Sequence, residues 1–202
     1  MGRFVNSGNS AFQVALNSEI YVDKTGLLAY TNKVMDTTAK FICNSRPRTF
    51  GKSITADMLT AYYCKGCSSK EMFSSLEIGQ APDFTKYLNQ YDVIHLDIQW
   101  CMEPAGGPEN VVSYITEKTI LELRNYYPEI LPDSIIWQAY RSMQTILPDH
   151  NLRYAVIPTA MKSPLHNLCS LTLLPILQES QSKYLCQKLH DGFSSFLSYR
   201  SY

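Results

Sequence analysis

Hydrophobic and polar residues alternate most clearly in the stretch YDVIHLDIQW, which spans residues 91–100. The hydrophobic residues expected on one face are Ile94, Leu96, Ile98 and Trp100. The opposite face carries Val93, His95, Asp97 and Gln99. A period of two residues is typical of a β-strand, because successive side chains point to opposite faces of a sheet. The pattern therefore predicts a strand over this stretch.

Elsewhere, hydrophobic residues recur every three to four positions, which predicts amphipathic helices. The helices are expected from about Thr25, from Ser53 to about Cys64, over SSKEMFSSLEIG with Ser68 or Ser69 as a cap, from about Glu109 to Tyr127, and from about Asp133 to Ile146. Two more strands are expected at KFICN (residues 40–44) and RYAVI (residues 153–157). Strands separated by helices favour a parallel sheet with crossover helices, so the predicted fold class is α/β.

Three consecutive residues, Gly51, Lys52 and Ser53, match the end of a phosphate-binding loop, G-x-x-x-x-G-K-[ST]. In such a loop the lysine contacts the β- and γ-phosphates, and the hydroxyl that follows ligates magnesium. A strand before the motif and a helix after it are the usual context. The first glycine is missing, and Arg46 stands in its place. An exposed turn with a solvated lysine is the alternative interpretation of these residues.

Four motifs in the same order resemble those of the bacterial AAA-ATPase-like family. They are YVDKTGLL (residues 21–28), SRPRTFGKS (residues 45–53), ADMLTAYY (residues 56–63) and LNQYDVIHLDI (residues 88–98). The resemblance covers about residues 1–150 and implies a P-loop NTPase-like fold that binds ATP. Since the loop of the family reads SRPRRFGKS, Arg46 is typical of it. Thr49 stands where the family usually has arginine, which removes one positive charge.

This resemblance also implies which residues hold the nucleotide. The expected ATP-binding residues are Arg46, Arg48, Thr49, Phe50, Gly51, Lys52 and Ser53. Ser53 is the expected Mg²⁺ ligand. Asp97, at the end of a hydrophobic strand, is a candidate second ligand, and the alternative for it is a local capping role. Asp23 and Lys24 are candidates for a place near the nucleotide, or for a surface pair or helix cap.

The acids that hydrolysis requires are missing from the expected place. In the family an Asp-Glu pattern follows the strand that corresponds to RYAVI, but here Pro158, Thr159 and Ala160 follow it, and no Asp or Glu occurs from residue 151 to 178. The chain is therefore divided into an incomplete P-loop domain, residues 1–157, and a Leu/Ser-rich tail, residues 158–202. Either the acidic site was lost in a non-hydrolysing protein, or the tail reflects truncation or a shift of reading frame. The abrupt loss of acids favours the second interpretation.

The composition of the chain argues against two classes of partner, nucleic acid and membrane. The 202 residues carry no formal net charge, which argues against a generally basic nucleic-acid binder. No stretch approaches the roughly 18 apolar residues of a membrane span, and no secretory signal is apparent, so a cytoplasmic protein with no membrane partner is expected. The predicted function is ATP binding, with hydrolysis doubtful because the downstream acidic motif is absent. The alternative is a non-catalytic interaction module with a protein partner and a vestigial nucleotide site; nucleic-acid handling follows only by family analogy.

Overall fold

The computed structural model describes residues 2–35, 37, 39, 42, 50–107, 109–127, 152–159 and 174–177, the last two ranges by their backbone. The helices are α1 (Ser10–Leu16), α2 (Gly26–Val34), α3 (Lys52–Tyr63), α4 (Lys70–Ser74), a 3-10 helix (Glu77–Gln80), α5 (Phe84–Tyr87), α6 (Ile98–Ala105) and α7 (Val111–Tyr126). The strands are β1 (Asp92–Asp97), β2 (Leu152–Thr159) and β3 (Leu174–Leu177). None of the helices described is long and apolar enough to cross a membrane.

Several predicted elements fall where they were expected. The helices predicted from Thr25, from Ser53 and from Glu109 are confirmed as α2, α3 and α7. The helix predicted over residues 68–79 is broken into α4 and the 3-10 helix. A Cβ at Gly79 would lie 2.4 Å from the carbonyl oxygen of Ser74, so the chain turns tightly there.

Some predictions fall on other parts of the chain. The predicted helix at residues 133–146, the predicted strand at residues 40–44 apart from Ile42, and most of the tail lie outside the described residues. The division of the chain at residue 157 stays a prediction, and β2 runs through that position.

The strand predicted over residues 91–100 is confirmed for residues 92–97 and wrong for the last three positions, where α6 begins. Ile98 is 3% exposed and Trp100 is 72% exposed, so they do not share a face. The carboxylate of Asp97 accepts a hydrogen bond from the backbone N–H of Trp100 at 3.2 Å. Because this N-cap satisfies a donor of the first helical turn, it stabilises a helix where the alternation predicted more strand.

The described strand pairs do not confirm the expected parallel sheet. The strand order is β1-β2-β3, and both pairs are antiparallel. In the first pair Asp92 lies opposite Thr159, and Asp97 lies opposite Tyr154. The period of two residues identifies a strand but not whether it runs parallel or antiparallel to its neighbour. A long connection between two strands is compatible with both directions. Helices between strands were therefore insufficient to predict the pairing.

Helix α3 forms the centre of the described core, and nine of its twelve residues are buried. Two of them, Tyr62 and Tyr63, are fully buried and carry polar hydroxyls. The Tyr62 hydroxyl donates to the carbonyl of Phe84 at 2.8 Å and accepts from the Asn32 amide at 3.0 Å. The Tyr63 hydroxyl donates to the Asn32 carbonyl oxygen at 2.8 Å. These bonds fix α3 against α2, because a buried hydroxyl without a partner would be costly.

Asn89 closes the C-terminal end of α3. Its side-chain amide donates to the carbonyls of Ala61 at 3.0 Å and Cys64 at 2.9 Å, and its backbone N–H donates to the carbonyl of Tyr62 at 2.7 Å. The last carbonyls of a helix have no partner within the helix. Asn89 supplies the hydrogen-bond donors that these buried carbonyls need. Its φ of 54° is in the left-handed region, which asparagine tolerates better than most residues.

The N-terminal segment, residues 3–8, is held beside β1 and α7. Val5 forms an antiparallel bridge with Ile94. The carboxylate of Glu122 on α7 accepts hydrogen bonds from the backbone N–H groups of Arg3, Phe4 and Val5 at 2.9, 2.9 and 2.8 Å. One side chain thus fixes three consecutive backbone donors far away in sequence.

Replacement of Glu122 tests this attachment. Glu122→Ala should lower the free energy of unfolding by about 2–3 kcal/mol, because it removes charge-assisted hydrogen bonds to partly buried donors. Glu117→Ala on the same helix is the matched control. Its carboxylate is exposed, so its removal should change stability by less than about 0.5 kcal/mol. Urea unfolding of the three proteins measures both effects, and equal losses in the two variants would contradict the assigned role of Glu122.

Candidate functional site

The site begins at Gly51, directly before α3. Gly51 has φ 71° and ψ 34°, a left-handed conformation that glycine adopts without steric cost. Gly51 has no side chain with which to cap α3, and the first turn of the helix contains no acid. The N–H groups of a first helical turn have no partner within the helix and carry partial positive charge. This end of α3 is therefore suited to an anion such as phosphate.

The predicted ATP-binding residues are only partly within the described structure. Arg46, Arg48 and Thr49 lie outside the described residues. Lys52 is 8% exposed and opens α3, whereas Ser53 next to it is exposed. The contacts of these residues with a nucleotide stay predictions.

Lys24 reaches the predicted phosphate loop. Its Nζ donates to the carbonyl of Phe50 at 2.8 Å, and it would lie 3.0 Å from a Cβ at Gly51. A side chain at Gly51 would thus meet both an unfavourable φ and the ammonium group of Lys24. Lys24, which belongs to the motif YVDKT, thus holds the end of the predicted loop through this hydrogen bond. Its position beside the loop agrees with the place that the sequence suggested for it.

Asp23 has a structural role instead. Its carboxylate accepts hydrogen bonds from the backbone N–H and the hydroxyl of Thr25 at 2.8 and 2.7 Å, and from the backbone N–H of Glu77 at 2.8 Å. Partial burial by itself would raise the pKa of Asp23, but the hydrogen bonds from Glu77 and Thr25 outweigh it and lower that pKa. The helix-cap alternative for Asp23 is thereby favoured, because its carboxylate is committed to the start of α2.

A cavity of about 560 Å³ lies beside α3. The residues lining it from α3, β1 and α6 are Ser53, Asp57, Thr60, His95, Asp97, Trp100 and Cys101. Those lining it from the N-terminal part are Arg3, Phe4, Ser7, Gly8, Ser10 and Ala11. Its volume is within the range of small-molecule sites. The two predicted Mg²⁺ ligands, Ser53 and Asp97, therefore line one cavity although they belong to different elements.

Two carboxylates share this cavity. Ser53 and Asp57 are four residues apart on α3, so their side chains project from the same face of the helix. Burial and, to a smaller extent, the nearby charge of Asp97 together raise the pKa of Asp57 from 3.8 to about 6. Asp97 also caps α6, so the local role considered from the sequence is confirmed, and its metal-binding role stays a prediction. Hydroxyl and carboxylate oxygens are the donors that Mg²⁺ prefers.

His95 is a partly buried residue of β1. Its Nδ1 lies 3.1 Å from the hydroxyl oxygen of Thr60. Burial lowers the pKa of His95 to about 4. The imidazole is therefore neutral at physiological pH and adds no positive charge to the cavity.

Of the residues that line the cavity, sequence reasoning identified Ser53 and Asp97 as site residues and missed the others, among them Arg3, Asp57 and Trp100. The helical spacing of Asp57 from Ser53 was a signal that could have identified it, because the i and i+4 positions lie on one face. Arg3 comes to the cavity through the bonds of Glu122, whose partner lies 119 residues away. No local pattern could have indicated that contact. Within the described chain no group of three or more His, Cys, Asp or Glu residues is placed to hold a metal.

Comparison with known proteins identifies one family. The family model described as predicted AAA-ATPase matches residues 8–149, which is more than half of the chain. The match confirms the resemblance noted from the four sequence motifs, and it includes Ser53, Asp57 and Asp97. No curated protein and no solved structure matches the chain.

The raised pKa of Asp57 leads to a prediction about stability. Because the folded-state pKa of about 6 exceeds the ordinary 3.8, ionisation of Asp57 at neutral pH destabilises the folded protein. Asp57→Asn should therefore be more stable than the parent at pH 7, by about 1–2 kcal/mol once the partial exposure of Asp57 is considered. The gain should disappear as the pH falls from 6 to below 4, where the carboxyl is protonated in both states.

Urea unfolding of both proteins at pH 7 and pH 4 measures the difference. Glu103→Gln, which neutralises an exposed acid on α6, is the control and should show no such gain. A difference between Asp57→Asn and the parent that is the same at both pH values would contradict the assignment.

Proposed function

Because the chain belongs to the predicted AAA-ATPase family, we propose that it binds MgATP in the cavity beside the N-terminal end of α3. The observation that carries this proposal is the cavity itself, in which Ser53 from α3 and Asp97 from β1 come together. Both residues were expected at a metal–phosphate site before their positions were known. A cavity between the end of a strand and the start of a helix is a common place for a nucleotide.

The triphosphate lies, in this proposal, at the start of α3. Lys52 supplies a full positive charge there, and the backbone N–H groups from Gly51 to Ser53 supply further donors. Lys24 supports the same loop through the carbonyl of Phe50. A second ammonium group near the loop adds to the positive potential and partly offsets the arginine that Thr49 replaces. The first turn of α3 contains no acid, so it would not repel the negative charges of the triphosphate.

The Mg²⁺ ion would be held on the other side of the phosphates. Ser53 offers a hydroxyl oxygen, and Asp97 and Asp57 offer carboxylate oxygens to the same cavity. Protein-bound Mg²⁺ keeps several waters and takes one or two carboxylates in addition to phosphate oxygens, so this donor set is sufficient. When bound, the ion neutralises charge on the β- and γ-phosphates. It would also relieve the unfavourable proximity of Asp57 to Asp97.

Hydrolysis is proposed to be slow. Phosphoryl transfer requires groups that orient the attacking water and stabilise the charge of the transition state. The resemblance implies acids after the stretch RYAVI, where this chain has Pro158 and Thr159, the last two residues of β2. Asp97 is the replacement that the sequence suggested, and it also caps α6. The proposed activity is therefore nucleotide binding with little turnover.

Binding is tested by replacement of the phosphate-contacting lysine. Lys52→Ala should weaken MgATP affinity at least tenfold, because a charge-assisted contact contributes about 1.5–3 kcal/mol. Lys33→Ala, which removes an exposed ammonium group from α2, is the control and should bind as the parent does. Isothermal titration calorimetry measures all three. Equal affinity in Lys52→Ala, or no binding by the parent, would reject the proposal and favour an interaction module with a vestigial site.

Turnover is tested by phosphate release. We expect no more than about one ATP hydrolysed per hour, far below the roughly 1–10³ per second of ordinary enzymes. Lys52→Ala controls for contaminating ATPases. Turnover well above that level, abolished by Lys52→Ala, would show that the chain is an active ATPase. A further loss in Asp97→Asn would then identify Asp97 as the replacement acid.

A further inference from the structure

Trp100 leaves most of its aromatic surface accessible at the cavity. The side chain is 72% exposed and lies in the first turn of α6. It lines the same cavity as Ser53 and Asp97. A large aromatic ring presented beside a cavity of ligand size is suited to stacking on another flat ring, and this contact is available to every nucleobase.

The position of Trp100 is fixed by its own backbone. Its N–H donates to the Asp97 carboxylate at 3.2 Å. The next residue, Cys101, is fully buried and anchors α6 against the core. The backbone of Trp100 is therefore held beside Asp97, the residue proposed to face the Mg²⁺ ion.

The N-terminal part of the cavity lining has residues that suit a base. Gly8 and Ala11 are small and leave room for a planar ring. Ser7 and Ser10 also line the cavity, and a serine hydroxyl can donate or accept a hydrogen bond at the edge of a base. These residues belong to the N-terminal part of the chain that Glu122 holds in place.

From this arrangement we infer that Trp100 stacks on the base of the nucleotide whose phosphates lie at the start of α3. The inference rests on the proposed function and names the residue that binds the base. The phosphate end of the cavity is then formed by the start of α3, and the base end by Trp100 and the N-terminal segment. Because stacking is tolerant of base identity, Trp100 contributes affinity for ATP and GTP alike, and discrimination between them falls to the polar residues Ser7 and Ser10 of the same cavity.

The experiment compares a ligand with a base to one without. Trp100→Ala should weaken MgATP binding about tenfold or more, the range expected for loss of one aromatic–base stack. Its affinity for magnesium tripolyphosphate should stay within twofold of the parent's, because that ligand has no base. Trp100→Phe should retain most of the MgATP affinity. Tyr30→Ala, which removes an exposed ring from α2, is the control and should bind both ligands normally.

Fluorescence supplies a second measurement that does not depend on Trp100→Ala folding. The chain has two tryptophans, Trp100 and Trp137. In Trp137→Phe the emission arises from Trp100 alone, so MgATP should quench it and magnesium tripolyphosphate should not. Lys52→Ala should reduce the response to MgATP in proportion to its lower affinity.

Each outcome decides between the two proposals. Unchanged MgATP affinity in Trp100→Ala, or equal losses for MgATP and tripolyphosphate, would overturn the stacking contact and leave the proposed function intact. Equal quenching of Trp100 by both ligands would also overturn it. If the parent binds neither ligand, the proposed function fails and the stacking contact fails with it.

Discussion

Helix α3 is buried around most of its circumference, and its polar groups must therefore find partners within the protein. The hydroxyls of Tyr62 and Tyr63 meet Asn32, which ties α3 to α2. The carbonyls at its C-terminal end meet Asn89, which ties it to the chain leading into β1. The need to satisfy these buried polar groups therefore determines how the neighbouring elements pack. Asn32 of α2 and Asn89 before β1 each provide the hydrogen-bond partner that a buried group of α3 needs.

The start of α3 differs from its C-terminal end. Gly51 provides no side-chain cap there, and Ser53 and Asp57 of the helix line the cavity. A carboxyl with a raised pKa beside a second carboxylate destabilises the folded protein at neutral pH. Proteins retain such groups chiefly at functional sites, where a ligand restores the balance. The destabilisation that ionised Asp57 causes therefore agrees with the proposed cation-binding role.

The sequence was informative where local patterns determine structure. The helical period of α3 and the alternation of β1 were sufficient to predict both elements and to place Gly51, Lys52 and Ser53 at a helix start. Alternation failed at Ile98, because the hydrogen bond from Trp100 to Asp97 stabilises a helix that periodicity does not report. The direction of strand pairing and the contact between Glu122 and Arg3 depend on residues distant in sequence. Their prediction would have required the tertiary structure.

The walls of the cavity come from three separated parts of the chain, and this couples ligand binding to folding. The N-terminal part of the lining depends on Glu122 of α7, the part from α6 on the cap by Asp97, and the part from α3 on Ser53, Asp57 and Thr60. A ligand in contact with all three parts would bind only when they are assembled. By mass action it would then stabilise the folded state over the unfolded chain. Glu122 would therefore influence affinity without touching the ligand, since any local opening that separates one part of the lining lowers the population able to bind.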